Sequence, residues 1–481
     1  MVSGPVPELV LALDQGGHGS RAVLFDRCGS EIAASHIPVE TRAEADGFVE
    51  QDPLELAGSL ARAALDACES PAAAGRPIQA AGLATQRSTI VCWERSSGRA
   101  LTNAISWQDR RNAAWLERLR PRAAEIRRLT GLVLSPHYGA SKLRWCLDHV
   151  PGVQHAAERG DLAFGPLSSY LLNHLLEEHP QVADPANASR TLLFDPATLD
   201  WSPPLLGAFG IDAQSLPACV ATRHAYGHLR VGTRRIPVTA CTGDQSAAAF
   251  AFGRPDGQVA LVNVGTGAFV QRAAPADAPL PEGLLRSVLR SDGAGTVYSH
   301  EGTVNGAGSA VDWLRGRALL DVERALGTLA VRPGDDVPLF VNGVGGLGAP
   351  FWLPAFPVEF VGDGDDTLRL AAVVESVVFL LRINLDAMRR AAALHGARIS
   401  GGMARCDYLC QALADLGGIK VRRHALREAT ARGVAFLAAG EPPEWQAVPV
   451  ERSFEPQQNQ PLASRYGRWL AEMARRGATA P

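Results

Sequence analysis

The feature that most constrains the fold of this chain is a glycine-rich hairpin that occurs once in each half. In the first half, the apolar segment 9–14 leads into Gln15-Gly16-Gly17-His18-Gly19-Ser20, and a second apolar segment, 21–26, follows. In the second half, segment 258–264 leads into Gly265-Thr266-Gly267 and then segment 268–272. Short apolar runs bounded by glycines predict β-strands. Each hairpin therefore predicts the start of an α/β domain, with domains at 1–250 and 251–481.

Helix signals follow each hairpin. Asp52 before Pro53 predicts a helix start, with Glu55 at the position of a capping box. In the second half, the apolar periodicity predicts helices at 308–320, 368–394 and 430–439. The most apolar stretch contains Glu375 and is shorter than the ~20 residues that cross a membrane.

Composition and charge exclude several classes of protein. The chain is 46% hydrophobic and 20% charged with a formal net charge of −3, which is typical of a globular protein. The sequence has no basic stripe, so we do not expect a nucleic-acid partner. The region Met1–Glu8 has neither the basic region nor the long apolar core of a signal peptide. We therefore expect a cytoplasmic protein that is not bound to a membrane. The eight cysteines form no CxxC pair, and we expect reduced thiols.

The two glycine loops are candidate phosphate sites. Glycine allows backbone N–H groups to approach an anion closely. Each loop joins two strands, so neither is a Rossmann or P-loop motif, and no GxxxxGK[ST] sequence occurs. The alternative is an ordinary hairpin turn. One loop in each half favours a nucleotide held between two domains.

Asp244 is the candidate general base. It follows the apolar strand predicted at 236–240, within Thr242-Gly243-Asp244-Gln245. Phosphoryl transfer needs a base for the attacking hydroxyl, a divalent ion and positioning. The alternative is an aspartate that caps the helix beginning at 245 or 246.

A succession of motifs in one order carries a resemblance to a known family. The motifs are Asp14-Gln15-Gly16, Gly47-Phe48-Val49-Glu50-Gln51-Asp52-Pro53, Gln86-Arg87, Trp107-Gln108-Asp109-Arg110-Arg111, Lys142-Leu143-Arg144-Trp145, Ala186-Asn187-Ala188-Ser189-Arg190-Thr191, Gly243-Asp244-Gln245, Gly265-Thr266-Gly267, Gly346-Leu347-Gly348-Ala349-Pro350 and Gly401-Gly402. Over residues 9–440 the chain resembles the FGGY carbohydrate kinases, in their glycerol kinase branch. The resemblance implies an α/β fold of two ribonuclease-H-like (actin/hexokinase-type) domains, with ATP and substrate in an interdomain cleft.

The resemblance also implies roles for individual residues. Asp244 matches the catalytic base, and Asp14 and Asp244 match the carboxylates at Mg²⁺. Residues matching the nucleotide site are Asp14, Gly16, Gly17, His18, Gly19, Arg21, Gly265, Thr266, Gly308, Asp312, Gly402 and Cys406. Residues matching the acceptor site are Arg87, Ser88, Trp107, His137, Asp244, Gln245 and Phe269.

The chain departs from the family pattern inside these sites. The first phosphate loop has Gly17-His18-Gly19 where the family has hydroxyl side chains. Ser88 stands where the family has a glutamate, and His137 stands where it has a tyrosine. Losing a carboxylate that accepts from two hydroxyls costs specificity for glycerol and admits a longer polyol or a sugar. On the nucleotide side, Asp312 and Cys406 replace amide side chains.

The sequence therefore predicts an Mg-ATP-dependent kinase that phosphorylates a hydroxyl of a small polyol or sugar. Relatives of this kind are often dimers or tetramers, so a homo-oligomer is compatible with the resemblance. One alternative is a catalytically degenerate protein of the same fold that binds a nucleotide or ligand as a regulator. Another is a kinase that uses ADP or pyrophosphate as its donor, which rests on the altered base contacts alone.

Overall fold

The structure is a computed structural model that describes residues 8–44, 47–332 and 334–479. Residues 1–7, which hold most of the region examined for a signal peptide, lie outside the described residues. The chain divides into two compact units. The first contains Met1–Arg254, Ser287–Tyr298 and Arg427–Ala447, and the second contains Pro255–Arg286, Ser299–Leu426 and Val448–Pro481. Two short segments of the second half of the sequence thus belong to the first unit.

Strands and helices alternate in the chain up to Arg254. Its strands are β1 (Leu9–Gln15), β2 (Gly19–Asp26), β3 (Glu31–Pro38), β4 (Arg42–Ala43), β5 (Val49–Gln51), β6 (Ile78–Thr85), β7 (Ile90–Glu94), β8 (Ala104–Ile105), β9 (Leu162–Pro166), β10 (Val182–Ala183), β11 (Phe194–Asp195), β12 (Asp200–Trp201), β13 (Ala218–Cys219), β14 (Arg223–Val231) and β15 (Arg234–Gly243). Its helices are α1 (Pro53–Cys68), α2 (Ala113–Leu116), α3 (Ala123–Thr130), α4 (Gly139–His149), α5 (Pro151–Glu158), α6 (Leu167–Leu175), α7 (Pro185–Ala188), α8 (Pro203–Phe209) and α9 (Asp244–Ala248).

The rest of the chain repeats this alternation. Its strands are β16 (Val259–Val264), β17 (Ala268–Ala274), β18 (Leu285–Asp292), β19 (Gly295–Val304), β20 (Leu339–Asn342), β21 (Val358–Val361), β22 (Gly396–Ser400), β23 (Lys420–His424) and β24 (Val450–Phe454). Its helices are α10 (Gly308–Arg315), α11 (Val322–Thr328), α12 (Asp366–Ala391), α13 (Asp407–Gly417), α14 (Ala429–Ala438) and α15 (Gln460–Arg475).

Both large sheets follow one plan. The first has the strand order β14-β15-β6-β1-β2-β3, with β1, β2 and β3 antiparallel and β6 and β15 parallel to β1. The second has the order β18-β19-β17-β16-β22-β23-β24, with β17 antiparallel and β22 parallel to β16. In each sheet the glycine hairpin joins the first two strands of the unit. The parallel strands lie beside the first of these two strands, on the side away from the second. The predicted two-domain α/β fold is confirmed.

Helix α14 completes the core of the first unit, although it lies late in the sequence. It packs on β1, β6 and β15 and against α9. Two glycines allow this close approach. A methyl group at Gly82 on β6 would lie 2.8 Å from Val434 Cγ2, and one at Gly433 would lie 1.8 Å from the carbonyl oxygen of Ala247. The parallel strands are therefore covered by a helix from another part of the chain, as parallel sheets require.

The local predictions have mixed outcomes. The Asp52 carboxylate caps α1 by accepting from the Leu54 amide at 2.8 Å, as predicted. The capping box is confirmed only in its first half, in which Asp52 Oδ1 accepts from the Glu55 amide at 3.4 Å. Its second half is wrong, because Glu55 Oε1 accepts from the amide of Glu40 at 3.0 Å. The helix predicted at 308–320 ends earlier, at Arg315, since Gly316 follows and α11 begins with its own cap at Asp321.

Helix α12 is the central element of the second unit, and its carboxylate is neutralised inside the protein. Glu375 is buried and accepts two hydrogen bonds from Arg465 of α15, at 2.8 Å from Nε and 2.7 Å from Nη2. The hydroxyl of Tyr408 also donates to Glu375. The ion pair of Glu375 and Arg465 ties α15 to the core. Among the described residues, no helix is long and apolar enough to cross a membrane.

We expect Arg465→Met to lower the free energy of unfolding by about 3–5 kcal/mol, because it leaves the buried carboxylate of Glu375 without its cation. Chemical denaturation of the purified protein measures this change. Arg468→Met is the matched control, since Arg468 lies on the same helix and is exposed, and it should change stability by about 0.5 kcal/mol or less. Adding Glu375→Gln to Arg465→Met should restore part of the loss. Equal stability of Arg465→Met and Arg468→Met would contradict this role of the ion pair.

Candidate active site

Three parallel strands of the first unit end in register and bring the candidate residues together. Gln15 on β1 pairs with Thr85 on β6, and Thr85 pairs with Gly243 on β15. Because the carboxyl ends of parallel strands meet at one edge of a sheet, the residues around these positions form a cluster. The Arg87 guanidinium nitrogen Nε lies 3.8 Å from Oδ1 of Asp244. Arg87, Asp244 and Asp14 thus reach one place from distant parts of the sequence.

The two aspartates of this cluster influence each other. Burial and, after it, the charge of Asp244 raise the pKa of Asp14 to about 7, although Arg21 acts in the opposite direction. Arg21 Nη1 lies 3.8 Å from Asp14 Oδ2. Asp244 Oδ1 also accepts a hydrogen bond from the amide of Gln245 at 2.7 Å. Two facing carboxylates, one of them buried, form a donor set that suits a hard divalent cation.

The first glycine loop is a tight turn held from outside by polar side chains. The amide of Gly16 donates to the carbonyl oxygen of Gly19 at 3.0 Å, so Gly17 and the exposed His18 form the tip. The Gly17 carbonyl accepts from Thr41 Oγ1 and from Gln51 Nε2, both at 2.9 Å. A methyl group at Gly19 would lie 2.1 Å from Nε2 of the exposed His36, so a side chain at this position would displace that imidazole.

Of the predicted acceptor residues of the first unit, Arg87, Ser88, Trp107 and His137 lie on loops, whereas Asp244 and Gln245 are the first residues of α9. A methyl group at Gly17 would lie 3.8 Å from Trp107 Nε1, so the turn and the tryptophan are neighbours. The rings of Trp107 and His137 meet edge to face with centroids 5.6 Å apart. Ser88 has a left-handed backbone with φ of 65°, and its buried hydroxyl has no hydrogen-bond partner among the described residues.

Arg87 owes its position to a glycine. A methyl group at Gly243 would lie 2.5 Å from Arg87 Cγ, so the aliphatic part of this arginine occupies the space that a side chain at 243 would fill. Gly243 is the residue immediately before Asp244. This small residue therefore allows the arginine to lie beside the candidate base.

Lys142 contacts the loops that carry predicted acceptor residues, and the sequence did not indicate this role. It begins one of the family motifs, but nothing in that motif shows what its amine contacts. In the structure, Lys142 is fully buried on α4, and its Nζ donates to three backbone carbonyls. The distances are 3.1 Å to Ser88, 2.7 Å to Ser106 and 2.8 Å to His137. One amine thus connects the three loops that carry the acceptor residues. The available signal was the rarity of lysine, since the chain has only one other, at Lys420.

The second unit contains the other candidate phosphate loop. The amide of Gly265 donates to the carbonyl of Gly267 at 2.9 Å, and this leaves Thr266 at the tip between β16 and β17. The start of α10 is bonded to the loop, because the amides of Gly308 and Ser309 donate to the carbonyls of Gly265 and Thr266, each at 2.9 Å. A methyl group at Gly308 would lie 2.7 Å from the Gly265 carbonyl oxygen. The loop and the helix N-terminus form one rigid unit, a combination that suits phosphate binding.

The remaining predicted residues of the second unit lie around these elements. Phe269 is on β17, Asp312 is exposed on α10, and Cys406 is buried immediately before α13. Gly402 begins a short 3₁₀ turn with open space around it. Its neighbour Gly401 is constrained, because its φ is 93° and a methyl group there would lie only 2.4 Å from the carbonyl oxygen of Val264.

Comparisons with known proteins identify the family of this chain. The N-terminal domain model of the FGGY family of carbohydrate kinases matches residues 9–251, and the C-terminal domain model matches residues 260–440. The chain belongs to the FGGY family of carbohydrate kinases. The resemblance inferred from the sequence is therefore confirmed, and so is the predicted enzyme class, a carbohydrate kinase.

Individual relatives of this FGGY kinase are similar over most of its length. Glycerol kinase of Ralstonia nicotianae is 37% identical over 447 residues, which are 90% of this chain and 89% of that protein. Glycerol kinase of Shewanella amazonensis is 35% identical over 447 residues, 89% of each chain. The crystal structure of Plasmodium falciparum glycerol kinase with ADP shares the fold, with a TM-score of 0.90, 23% identity and 98% coverage of both chains. The alternative of a degenerate regulator gains no support from these comparisons.

For Lys142→Met we expect the KM for the acceptor to rise about ten- to hundredfold, since three backbone carbonyls lose their shared donor at about 1 kcal/mol each. The KM for ATP should change by about twofold or less, because the lysine contacts only the acceptor loops. Steady-state kinetics with each substrate varied measures both values. Lys420→Met, on the solvent side of β23, is the control and should leave both unchanged. An equal rise of both constants would show general disorder instead.

For Gly308→Ala we expect a rise of about tenfold or more in the KM for ATP, because the methyl group would displace the carbonyl of Gly265 and with it the loop. The matched control is Gly316→Ala at the other end of α10, where a methyl group would come no nearer than 3.9 Å to Trp313. Nucleotide titration by calorimetry measures the binding of ATP directly. Equal affinity of the two variants would separate this loop from the nucleotide site.

Proposed function

We propose that this FGGY kinase transfers the γ-phosphoryl group of ATP to a hydroxyl of a small polyol or sugar, with Asp244 as general base. The observation that carries the proposal is the cluster of Asp244, Arg87 and Asp14 at the in-register ends of parallel strands. In the proposed step, Asp244 takes the proton of the acceptor hydroxyl. The hydroxyl oxygen attacks the γ-phosphorus of ATP at the same time, and ADP leaves. Arg87 holds the Asp244 carboxylate and binds an acceptor hydroxyl.

We assign the nucleotide phosphates to the two glycine loops. Gly16, Gly17, His18 and Gly19 offer backbone amides and an exposed imidazole, and Thr266 offers a hydroxyl beside the rigid start of α10. Arg21 adds a positive charge next to Asp14. We further assign Asp312, Gly402 and Cys406 to the surroundings of the adenosine, following the family pattern. A donor other than ATP has no support beyond the changes at Asp312 and Cys406.

The carboxylates of Asp14 and Asp244 fit a magnesium ion. The pKa of Asp14 is raised to about 7 by burial and by Asp244, so a cation between them would relieve the unfavourable pairing. Mg²⁺ bound with ATP would neutralise phosphate charge. Asp14, and Asp244 next to it, are the residues that would hold it, directly or through water.

The acceptor site combines apolar walls with a few polar groups, as small-molecule sites do. Trp107 and Phe269 would face the carbon–hydrogen surfaces of the acceptor, and Gln245, Ser88 and His137 would bind its hydroxyls. Proteins at 35–37% identity carry the name glycerol kinase, which supports a polyol of similar chemistry. We expect the reaction to take place in the cytoplasm, where ATP is abundant, and to involve no nucleic acid.

Asp244→Asn should lower kcat by about a thousandfold while ATP still binds, since general-base catalysis contributes about 10²–10⁴ in rate. A coupled assay of ADP release, with glycerol, longer polyols, pentuloses and their carboxylate analogues, measures the effect. Asp66→Asn on α1, where the aspartate pairs with Arg62, is the control and should retain full activity. Turnover by Asp244→Asn at the wild-type rate would remove Asp244 from the role of base.

A further inference from the structure

A buried aspartate lies behind the strand ends of the candidate active site. Asp184 is fully buried and is the N-cap of α7, where its Oδ2 accepts from the amide of Asn187 at 3.0 Å. Its Oδ1 accepts from Nδ2 of Asn187 at 2.9 Å, from the hydroxyl of Ser168 at 3.0 Å and from Sγ of Cys241 at 3.5 Å. All four groups are donors, so the carboxylate is held by neighbours from α6, α7 and β15.

These bonds fix the orientation of the Asn187 side chain, which is also buried. Because Nδ2 donates to Asp184, Oδ1 points the other way, and it accepts from Oγ1 of Thr85 at 3.3 Å. A methyl group at Gly243 would lie 3.6 Å from the same Oδ1. Thr85 ends β6, Gly243 ends β15, and the two residues pair in the sheet. One side-chain amide therefore lies beside the ends of both strands.

The strand ends next to Asn187 lead directly to the candidate catalytic residues. Arg87 follows Thr85 by two residues, and Asp244 follows Gly243. The aliphatic part of Arg87 occupies the space over Gly243, and Oδ1 of Asn187 borders that space. The separation of 3.8 Å between Arg87 Nε and Asp244 Oδ1 thus depends on where β6 and β15 end.

The alternative is that Asp184 and Asn187 only cap a short helix. Capping needs the bond from the backbone amide of Asn187 to the Asp184 carboxylate. It does not need the side-chain amide, which extends from α7 to β6 and joins residues 102 positions apart in the sequence. The cap therefore accounts for Asp184 but leaves the orientation of the Asn187 amide unexplained.

We propose that Asn187 is a positioning residue for phosphoryl transfer: its side-chain amide, held by Asp184, fixes the ends of β6 and β15 and with them the distance between Arg87 and Asp244. This inference rests on the proposed function, because it concerns the base and the arginine of the same reaction. Asn187 acts through these two residues. A displacement of about 1 Å at a reacting group can cost about a hundredfold in rate, so a remote contact of this kind matters to kcat.

The first test is Asn187→Ala, which removes the side-chain amide and leaves the backbone bond of the cap in place. In the ADP-release assay with Mg-ATP we expect kcat to fall about ten- to hundredfold, because the base and the arginine lose their alignment. The KM for ATP should change by about twofold or less, since binding of the nucleotide does not depend on this alignment. The acceptor is the compound that the wild-type protein turns over fastest among glycerol, the longer alditols and the pentuloses.

Asn173→Ala is the matched control. Asn173 is a buried asparagine of the same unit, and its Nδ2 donates to the carbonyl of His179 at 2.9 Å, beyond the end of α6. We expect this variant to keep kcat within about twofold of the wild-type value, because distant sites act independently. Equal losses of kcat in the two alanine variants would overturn the positioning role.

A second test exchanges the two polar side chains. Asp184→Asn places an NH₂ group against a donor whichever way the new amide turns, so kcat should fall about tenfold or more. Adding Asn187→Asp restores one donor and one acceptor between the two positions, and Thr85 can still donate to the new carboxylate. We expect the double variant to recover about fivefold or more of the lost kcat. A folded double variant without recovery would contradict the role of this bond.

A third test asks whether Asn187 acts through the base. Losses from residues that act as a unit are not additive, so Asn187→Ala should lower the kcat of Asp244→Asn by about threefold or less. Additive losses would overturn the proposal. If Asn187→Ala does not fold, Thr85→Val takes its place, because it removes only the hydroxyl that donates to Asn187. A kcat unchanged by Thr85→Val would then contradict the proposal.

Hydrogen exchange separates failure of this inference from failure of the proposed function, because it needs no acceptor. Asn187→Ala should speed the exchange of amides at 85–88 and 243–246, whereas Asn173→Ala should not. Unchanged exchange at both strand ends contradicts the positioning role, whatever the activity. Wild-type turnover by Asp244→Asn, or absence of ADP release by a folded protein that binds ATP, contradicts the proposed function, and the exchange measurement still decides whether Asn187 holds the strand ends.

Discussion

The parallel register of β1, β6 and β15 is the constraint on which the first unit depends. Hydrogen bonding aligns Gln15, Thr85 and Gly243, so the residues next to them must meet at one edge of the sheet. This alignment brings two carboxylates and an arginine together, and it places Asp14 where burial, and after it the charge of Asp244, raise its pKa to about 7. Such a cluster persists only because the strands are fixed by a large buried core, and strain of this kind is common at functional sites.

Close approach at glycines allows other elements to pack against these strands and at their ends. Gly82 and Gly433 let α14 lie directly on the parallel strands and on α9. Gly243 leaves room for the aliphatic part of Arg87. In the second unit, Gly308 and Gly401 have the same function at the candidate phosphate loop, where a methyl group on either glycine would lie within van der Waals distance of a backbone carbonyl. These glycines act through the space that they leave empty.

Buried charge organises both units, but in two ways. In the second unit, Glu375 and Arg465 neutralise each other and join two helices. In the first unit, burial lowers the pKa of Lys142 to about 7, and no carboxylate among the described residues bonds to its amine. Three backbone carbonyls satisfy its donors instead. The first arrangement joins two helices, whereas the second joins three loops.

Sequence alone determined the features that depend on neighbouring residues. The glycine hairpins, the Asp52 cap, the strand before Asp244 and the family motifs follow from short-range stereochemistry and from order along the chain, so they were predicted correctly. The second half of the capping box at Glu55 was not, because the backbone amide of Glu40, which follows β3, donates to its carboxylate. Only the tertiary structure decided the contacts between distant segments: the three carbonyls around Lys142, the return of α14 to the first unit, and the pairing of Glu375 with Arg465. Those contacts depend on where separate elements pack, and hydrophobic periodicity specifies which face of an element is buried but not its partner.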